Sequence, residues 1–148
     1  MKIDEKVKDR IKKVLDSQSI AVLGTSKNDE PYSCLVGYEI TNDLKSAIFA
    51  TMRKRLKYEN IAANPRVTLI IDDRDQKDSS FNETTSITIV GKANDIVNED
   101  REKYAELLVK RHPSLTDFVE SPDCAIIKVD VDKIYVVSEF ESVVKIGK

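Results

Sequence analysis

The sequence is poor in several residues that mark common classes of protein. Its 148 residues include no tryptophan, one histidine and two cysteines. No apolar run approaches the length needed to cross a bilayer, and the charged N-terminus, MKIDEKVKDRIKK, lacks the apolar segment of a secretory signal. We therefore expect neither export nor insertion into a membrane.

Cysteine usage and net charge indicate the cellular compartment and the classes of partner to expect. Cys34 and Cys124 are far apart in sequence and have apolar neighbours, so we interpret them as small core residues of a protein in a reducing, cytoplasmic compartment. The 24 basic and 26 acidic residues leave a formal net charge of −2, which argues against a nucleic-acid or membrane partner. A chain of this length can bury a sizeable core without a metal ion or a disulfide, and no metal site is predicted.

The hydrophobic pattern predicts a mainly β protein with a few peripheral helices. An amphipathic helix is expected at about residues 3–16, and six or seven strands should follow, the second of them at about residues 32–40. A third helix is expected over residues 99–111, and a long polar loop at residues 72–83 should border a site. Because strands and helices do not alternate regularly, we expect an antiparallel β-barrel in a single domain over residues 1–148.

The most informative segment is residues 48–71, IFATMRKRLKYENIAANPRVTLII, where a cationic helix start lies between two strand-like apolar runs. Arg53, Lys54, Arg55 and Lys57 precede the first carboxylate, Glu59, so four positive charges are expected in a helical turn where the helix dipole disfavours them. A phosphate would offset these charges, because free N–H groups at a helix N-terminus and nearby basic side chains converge on one anion. The alternative is an ordinary solvated basic helix face.

Three segments in order carry a resemblance to a known family. AVLGTSKNDEPY, the segment at residues 48–71, and TTSITIVGKA resemble the pyridoxamine 5′-phosphate oxidase-like FMN-binding split barrels over roughly Ile20 to Ala93. The resemblance implies a split barrel that binds FMN and acts as an oxidoreductase on a small molecule. It also implies a homodimer with the cofactor at the interface, which agrees with the two-sided apolar strands at residues 21–23 and 68–70.

The resemblance also implies which residues bind the phosphate of FMN. Arg53 and Lys57 match the phosphate-binding positions of similar proteins, and Arg55 is a third candidate. Arg53 and Lys57 would share one helix face, since they stand four residues apart.

The remaining implied cofactor-binding residues are uncharged. Ala50 and Thr51 would lie against the flavin ring, with Thr51 offering its hydroxyl and backbone to the polar edge of the ring. Thr85 and Ser86 would approach the cofactor from the strand that follows the long loop. The alternative is that the threonines and the serine are ordinary strand residues, since such residues suit pleated surfaces.

The chain also departs from the family pattern. True pyridoxamine 5′-phosphate oxidases carry an arginine in the strand before the FAT-like segment and a Trp/Arg/His-containing C-terminal motif. Here no arginine lies between Pro31 and Phe49, tryptophan is absent, and the single histidine, His112, is expected at the end of a helix. We therefore do not expect a true pyridoxamine 5′-phosphate oxidase, and no catalytic residue is predicted. Two alternatives stay open, a non-catalytic flavin- or haem-binding module and a variant that binds the deazaflavin F420.

Overall fold

One antiparallel sheet dominates the fold and curls into a split barrel. The computed structural model of the protein describes residues 4–74, 83–138 and 142–147. Its strands are β1 (Ile20–Lys27), β2 (Glu30–Gly37), β3 (Glu39–Ile40), β4 (Ser46–Met52), β5 (Arg66–Asp72), β6 (Ser86–Asp95), β7 (Cys124–Ser138) and β8 (Ser142–Gly147). Its helices are α1 (Glu5–Ser17), α2 (Leu56–Ala63), α3 (Arg101–Arg111) and α4 (Thr116–Glu120), with a short 3-10 turn at Pro113–Leu115.

The strand order shows how the sheet is organised around its longest strand. The order is β2-β1-β5-β6-β7-β4-β3, with β8 paired to β7 outside this path. β7 has 15 residues and pairs with β6 along one edge. Its other edge pairs with β4 over residues 124–130 and with β8 over residues 133–138. One long strand therefore belongs to both parts of the split barrel.

The mainly β class and the split-barrel fold are confirmed, with small differences in the elements. The predicted N-terminal helix runs over Glu5–Ser17, and the third helix begins at Arg101 rather than at residue 99. The described residues contain eight strands because the predicted strand at 32–40 breaks at Tyr38, whose ring is fully buried. The Tyr38 hydroxyl lies 2.8 Å from the carbonyl oxygens of both Leu15 and Gln18, either of which can accept its one hydrogen. Of the predicted loop at 72–83, residues 75–82 lie outside the described part of the chain.

The core fills the inside of the curled sheet. Alternate side chains of β1, β5 and β6 point inward and are buried, because successive side chains of a strand point to opposite faces. Helix α1 closes one side of this core with Ile11, Val14 and Leu15. No helix among residues 4–74, 83–138 and 142–147 has the length and apolar character needed to cross a membrane.

The outer face of the sheet has two halves, which differ in what covers them. On the covered half, Ile48 of β4 and Ile126 of β7 have no exposed surface, because they pack in one cluster with Leu108 of α3 and Val119 of α4. On the other half, the outer side of β1, β2 and β5 is open to solvent, with Leu35 66%, Ile20 55% and Ile70 38% exposed. We call this half the bare face, and it is formed by Ile20, Val22, Leu35 and Ile70.

Candidate cofactor-binding site

A cavity of about 400 Å³ lies where β4 ends and α2 begins. Three basic side chains line it, from Lys54, Arg55 and Lys57. Residues 50–52 contribute the end of β4, and the remaining wall consists of Tyr32, Leu56 and Phe118. The cavity therefore combines positive charge with an apolar and aromatic wall.

Helix α2 is fixed at this place by polar contacts with β1. The buried Asn60 side chain donates from Nδ2 to Thr25 Oγ1 at 3.0 Å, and Asn64 Nδ2 donates to Ser26 Oγ at the same distance. Lys27 Nζ and Glu59 Oε1 form an ion pair at 2.7 Å. These contacts run along one side of the helix and orient its N-terminus toward the end of β4.

The N-terminus of α2 lacks the usual cap. The helix begins at Leu56, and Arg55 is the N-cap residue and makes no side-chain capping hydrogen bond. A basic residue at this position has no oxygen to offer to the first N–H groups, which are left without an intrahelical acceptor. The expectation of four positive charges in the first helical turn is wrong, because Arg53, Lys54 and Arg55 all precede the helix.

Three basic residues at this helix start have no ion-pair partner among the described residues. Lys54 and Arg55 are exposed and Lys57 is half-buried. Within the described ranges, none of the three forms an ion pair with a carboxylate. Three positive charges, together with the uncapped helix N-terminus, produce a site suited to an anion.

Arg53 is placed differently from the other basic residues. Its Nε lies 3.2 Å from Asp95 Oδ2, its Nη2 donates to Asp95 Oδ1 at 3.3 Å, and its Nη1 donates to the Cys124 carbonyl at 3.3 Å. The hydroxyl of Tyr58 donates to the same Asp95 carboxylate at 2.8 Å, and this hydrogen bond is the main cause of the raised pKa of Tyr58. The hydrogen bond to Asp95 likewise raises the pKa of Arg53. The prediction that Arg53 shares a helix face with Lys57 is wrong, and Arg53 does not line the cavity.

The strand residues predicted to lie against the ring are at the cavity, with different exposure. Ala50 is half-buried, whereas Thr51 is 1% exposed and its hydroxyl donates to the Met52 carbonyl at 3.0 Å. In the register of the sheet, Thr51 faces Ala125 at the start of β7. The hydroxyl of Thr51 therefore has a local partner, and the backbone at the end of β4 borders the cavity.

Thr85 and Ser86 do not reach this cavity within one chain. Ser86 faces Val137 near the end of β7, whereas Thr51 faces Ala125 near its start. The two positions are separated by roughly 40 Å along the strand, at about 3.3 Å per residue. The N–H of Thr85 donates to Asp73 Oδ1 at 2.7 Å.

Several residues that line the cavity were missed from the sequence. Lys54 lies within the basic run and was recognisable by its charge, and Met52 and Leu56 flank that run. Tyr32 comes from β2 and Phe118 from α4, so both reach the cavity only through the tertiary fold. No local pattern in the sequence marks either aromatic residue.

Comparison with known proteins decides the family. A family model described as "Pyridoxamine 5'-phosphate oxidase" matches residues 7–138, which is most of the chain. The chain belongs to the pyridoxamine 5′-phosphate oxidase-like family. No curated protein matches it by sequence.

Solved structures share the fold of this family member at low sequence identity. A heme-binding protein from Mycobacterium smegmatis superposes with a TM-score of 0.83 at 12% identity, over 99% of this chain and 59% of that chain. General Stress Protein 26 from Bacillus anthracis gives 0.70 at 22% identity, covering 95% and 98% of the two chains. An FAD-binding protein from Mesorhizobium loti gives 0.68 at 18% identity, over 84% and 89%. The chain thus spans about three fifths of the heme-binding protein, and identities this low establish the fold alone.

Proposed function

We propose that this member of the pyridoxamine 5′-phosphate oxidase-like family binds FMN and uses it in an oxidoreductase reaction on a small molecule. The observation that carries the proposal is the uncapped N-terminus of α2, with three basic side chains around one cavity that pair with no carboxylate in the described part of the chain. A flavin mononucleotide has a phosphate that such a site binds and a planar ring that needs an apolar wall.

In this proposal, different residues of the cavity bind different parts of FMN. Lys54, Arg55 and Lys57 hold the phosphate together with the first N–H groups of α2. The backbone of Ala50 and Thr51 lies against the ring, which agrees with the position of both residues at the end of β4. Arg53 has no place in this phosphate site, because its guanidinium is paired with Asp95. When bound, the flavin supplies the chemistry of accepting and returning a hydride, and the protein supplies binding and orientation.

The active form in this proposal is a homodimer formed through the bare face. Val22 faces both Leu35 and Ile70 in the register, and the row continues through Thr88 to Tyr135 without a charged residue. Leu35 is 66% exposed and Ile20 is 55% exposed, so a second copy would remove substantial apolar surface from water. A symmetric pairing of this face also offers Thr85 and Ser86 of one copy a route to the cofactor of the other.

Haem binding is the second candidate, because one structural neighbour is named as a heme-binding protein. The position of His112 disfavours it. A ring nitrogen of His112 lies 2.7 Å from the Tyr38 carbonyl, the ring lies against Gly37, and His112 does not line the candidate cavity. A haem iron in this cavity would need a ligand other than the single histidine of the chain.

A titration with matched ligands tests the phosphate site. The purified protein is stripped of any bound cofactor and titrated with FMN, riboflavin, F420 and hemin, and binding is followed by absorption and by quenching of flavin fluorescence. FMN should bind much more tightly than riboflavin, which lacks the phosphate. Each charge-assisted phosphate contact is worth about 1.5–3 kcal/mol, so Arg55→Ala and Lys57→Ala should each weaken FMN binding about tenfold or more.

The controls separate a specific phosphate site from general positive charge. Arg66→Ala removes an exposed arginine of β5 that lies outside the cavity and should leave FMN affinity unchanged. Equal affinity for FMN and riboflavin would contradict a phosphate-binding site here. Full FMN affinity in the Arg55→Ala, Lys57→Ala double variant would contradict it as well. Preferential binding of hemin or of F420 would replace FMN by that cofactor.

A reduction experiment tests the reaction. The FMN-loaded protein is mixed with NADH or NADPH in the absence of oxygen, and loss of the flavin absorption is measured, followed by its return when air is admitted. Reduction and reoxidation over repeated cycles support an oxidoreductase. Tight FMN binding without reduction by either donor would favour a non-catalytic flavin-binding module.

A further inference from the structure

A second cavity lies between α3 and α4, next to the candidate cofactor site. Its volume is about 780 Å³, and no residue lines both cavities. The two cavities are neighbours because consecutive residues line different ones. Phe118 lines the cofactor cavity, whereas Val119 and Glu120 line the second.

Arg101, the first residue of α3, contributes a half-buried positive charge to this cavity. Its Nη2 donates to the Val119 and Cys124 carbonyls, both at 3.1 Å, which fixes the guanidinium between α4 and β7. A guanidinium has five N–H donors, so three of them remain after these two hydrogen bonds. No carboxylate of the described residues pairs with Arg101.

Arg53, which lines the same cavity, provides an internal comparison. It also donates to the Cys124 carbonyl, but its charge is neutralised by Asp95. Four exposed charges also line the cavity, three of them negative, from Glu102, Glu106 and Glu120, and one positive, from Lys110. Water screens these exposed charges, whereas the charge of Arg101 is half-buried and acts in a less polar medium.

The larger part of the accessible wall of this cavity is apolar. Val97 is 76% exposed although it is a large aliphatic residue, and Ala105, Val109 and Val119 continue the apolar surface along α3 and α4. An unpaired guanidinium next to an apolar wall matches a ligand with an acidic group at one end and an apolar body.

We propose that the cavity between α3 and α4 is a second ligand site, which binds an organic carboxylate through Arg101 and packs its apolar body against Val97, Val109 and Val119. The Nε–H and Nη1–H groups of the fixed guanidinium remain to donate to a carboxylate oxygen, and a hydrogen bond between two charged groups is among the stronger polar contacts. The site is separate from the flavin site and does not depend on the identity of the cofactor.

Three probes of equal length test the charge of the ligand. Octanoate, octanol and octylamine are titrated into the protein carrying its cofactor, and binding is measured by calorimetry and by chemical-shift changes of the α3 and α4 amides. Octanoate should bind saturably and at least tenfold more tightly than octanol or octylamine. Its affinity should fall as the salt concentration rises.

Variants assign the binding to this cavity. Arg101→Gln should weaken octanoate binding at least tenfold. Val109→Glu should weaken it as much, because it leaves Arg101 in place but adds to the wall a negative charge that repels the octanoate carboxylate. Lys103→Gln, on the same helix but outside the cavity, should have no effect. FMN affinity should be unchanged in Val109→Glu and Lys103→Gln, which separates a failure of this proposal from a failure of the flavin proposal.

Three results would overturn the second site. They are the absence of saturable octanoate binding, equal affinity for octanol and octanoate, and undiminished octanoate binding in both Arg101→Gln and Val109→Glu. In each case Arg101 would be a structural residue that joins α4 to β7 and nothing more.

Discussion

The two halves of the outer sheet face have similar side chains and opposite surroundings. On the covered half, Ile48 and Ile126 have no exposed surface, because α3 and α4 pack over them. On the bare face, Leu35 is 66% exposed and Ile20 is 55% exposed, without a helix above them. Aliphatic side chains are buried within the chain on one half and exposed to water on the other. The difference indicates that only the bare face needs a partner, for which we propose a second copy of this chain.

The largest expected effect breaks the bare face. Leu35→Glu would place a carboxylate in the proposed interface, and twofold symmetry would place two of them there. Burying unpaired charge should weaken the dimer by about 4 kcal/mol or more, which is roughly a thousandfold in the dissociation constant. Light scattering or sedimentation should then show a dimer for the unchanged protein and a monomer for Leu35→Glu.

Val97→Glu is the matched control for this substitution. Val97 is even more exposed, at 76%, but lies away from the bare face, so its replacement should leave the mass unchanged. A monomer for the unchanged protein, or a dimer that survives Leu35→Glu, would contradict pairing through the bare face. Loss of FMN binding together with dimer dissociation would support a cofactor at the interface.

The sequence predicts that the strands at residues 21–23 and 68–70 are apolar on both sides, but not which half of the sheet a helix covers. Successive residues of β1 and β5 point to opposite faces, and apolar residues at both sets of positions correctly indicate strands that are apolar on both sides. This pattern can be seen in the sequence because it is local. Whether a helix covers the outer side depends on where α3 and α4 pack, and these elements follow β4 by about fifty residues or more of chain. The exposure of Leu35 therefore follows from the tertiary structure.

The second expected effect concerns the covered half. Leu108 has no exposed surface and packs from α3 against the outer side of the sheet, so Leu108→Ala should reduce the free energy of unfolding by about 2–5 kcal/mol. Chemical denaturation should show the same loss at every protein concentration, because this packing lies within one chain.

Leu35→Ala provides the contrast on the bare face. Its effect should depend on protein concentration, because the linkage of folding to dimerisation disappears on dilution. At concentrations where only monomer is present, an exposed side chain should contribute no more than about 0.5 kcal/mol. A concentration-dependent loss for Leu108→Ala, or a large concentration-independent loss for Leu35→Ala, would show that the two halves do not differ in this way.

The candidate site was predicted from the sequence only in part, and Arg53 shows why. The basic run correctly indicates a cluster of positive charge near the end of β4, since charge is visible residue by residue. The sequence does not show that Asp95, 42 residues further along, pairs with Arg53 and removes it from the cluster. Nor does it show that the helix starts only at Leu56, because no capping residue marks the boundary.

The smallest expected effect concerns Tyr38, which lies just after β2, at the border between the two halves. A side chain at Gly37 would meet the His112 ring at 3.3 Å, and the next residue, Tyr38, is fully buried beneath Arg111, whose guanidinium lies 4.6 Å from the centre of the tyrosine ring. Burial raises the pKa of Tyr38 from 10.0 to about 12, despite the nearby positive charge of Arg111.

This shift has a defined sign in the dependence of stability on pH. Below pH 10 the tyrosine is neutral in both states, and the favourable contribution to folding is complete. As the pH rises from about 10 to about 12, the unfolded chain ionises first, so the free energy of unfolding should fall by about 2–3 kcal/mol. Tyr38→Phe should lose about 1 kcal/mol near neutral pH, because the hydrogen bond of its hydroxyl is lost, and should lack this alkaline fall. Denaturation curves of both proteins over this pH range give the difference between their free energies of unfolding. The contributions of the other titrating groups are the same in both proteins and cancel in this difference. Parallel curves for the two proteins would mean that Tyr38 ionises as readily in the folded chain as in the unfolded one, and that the border is open to water.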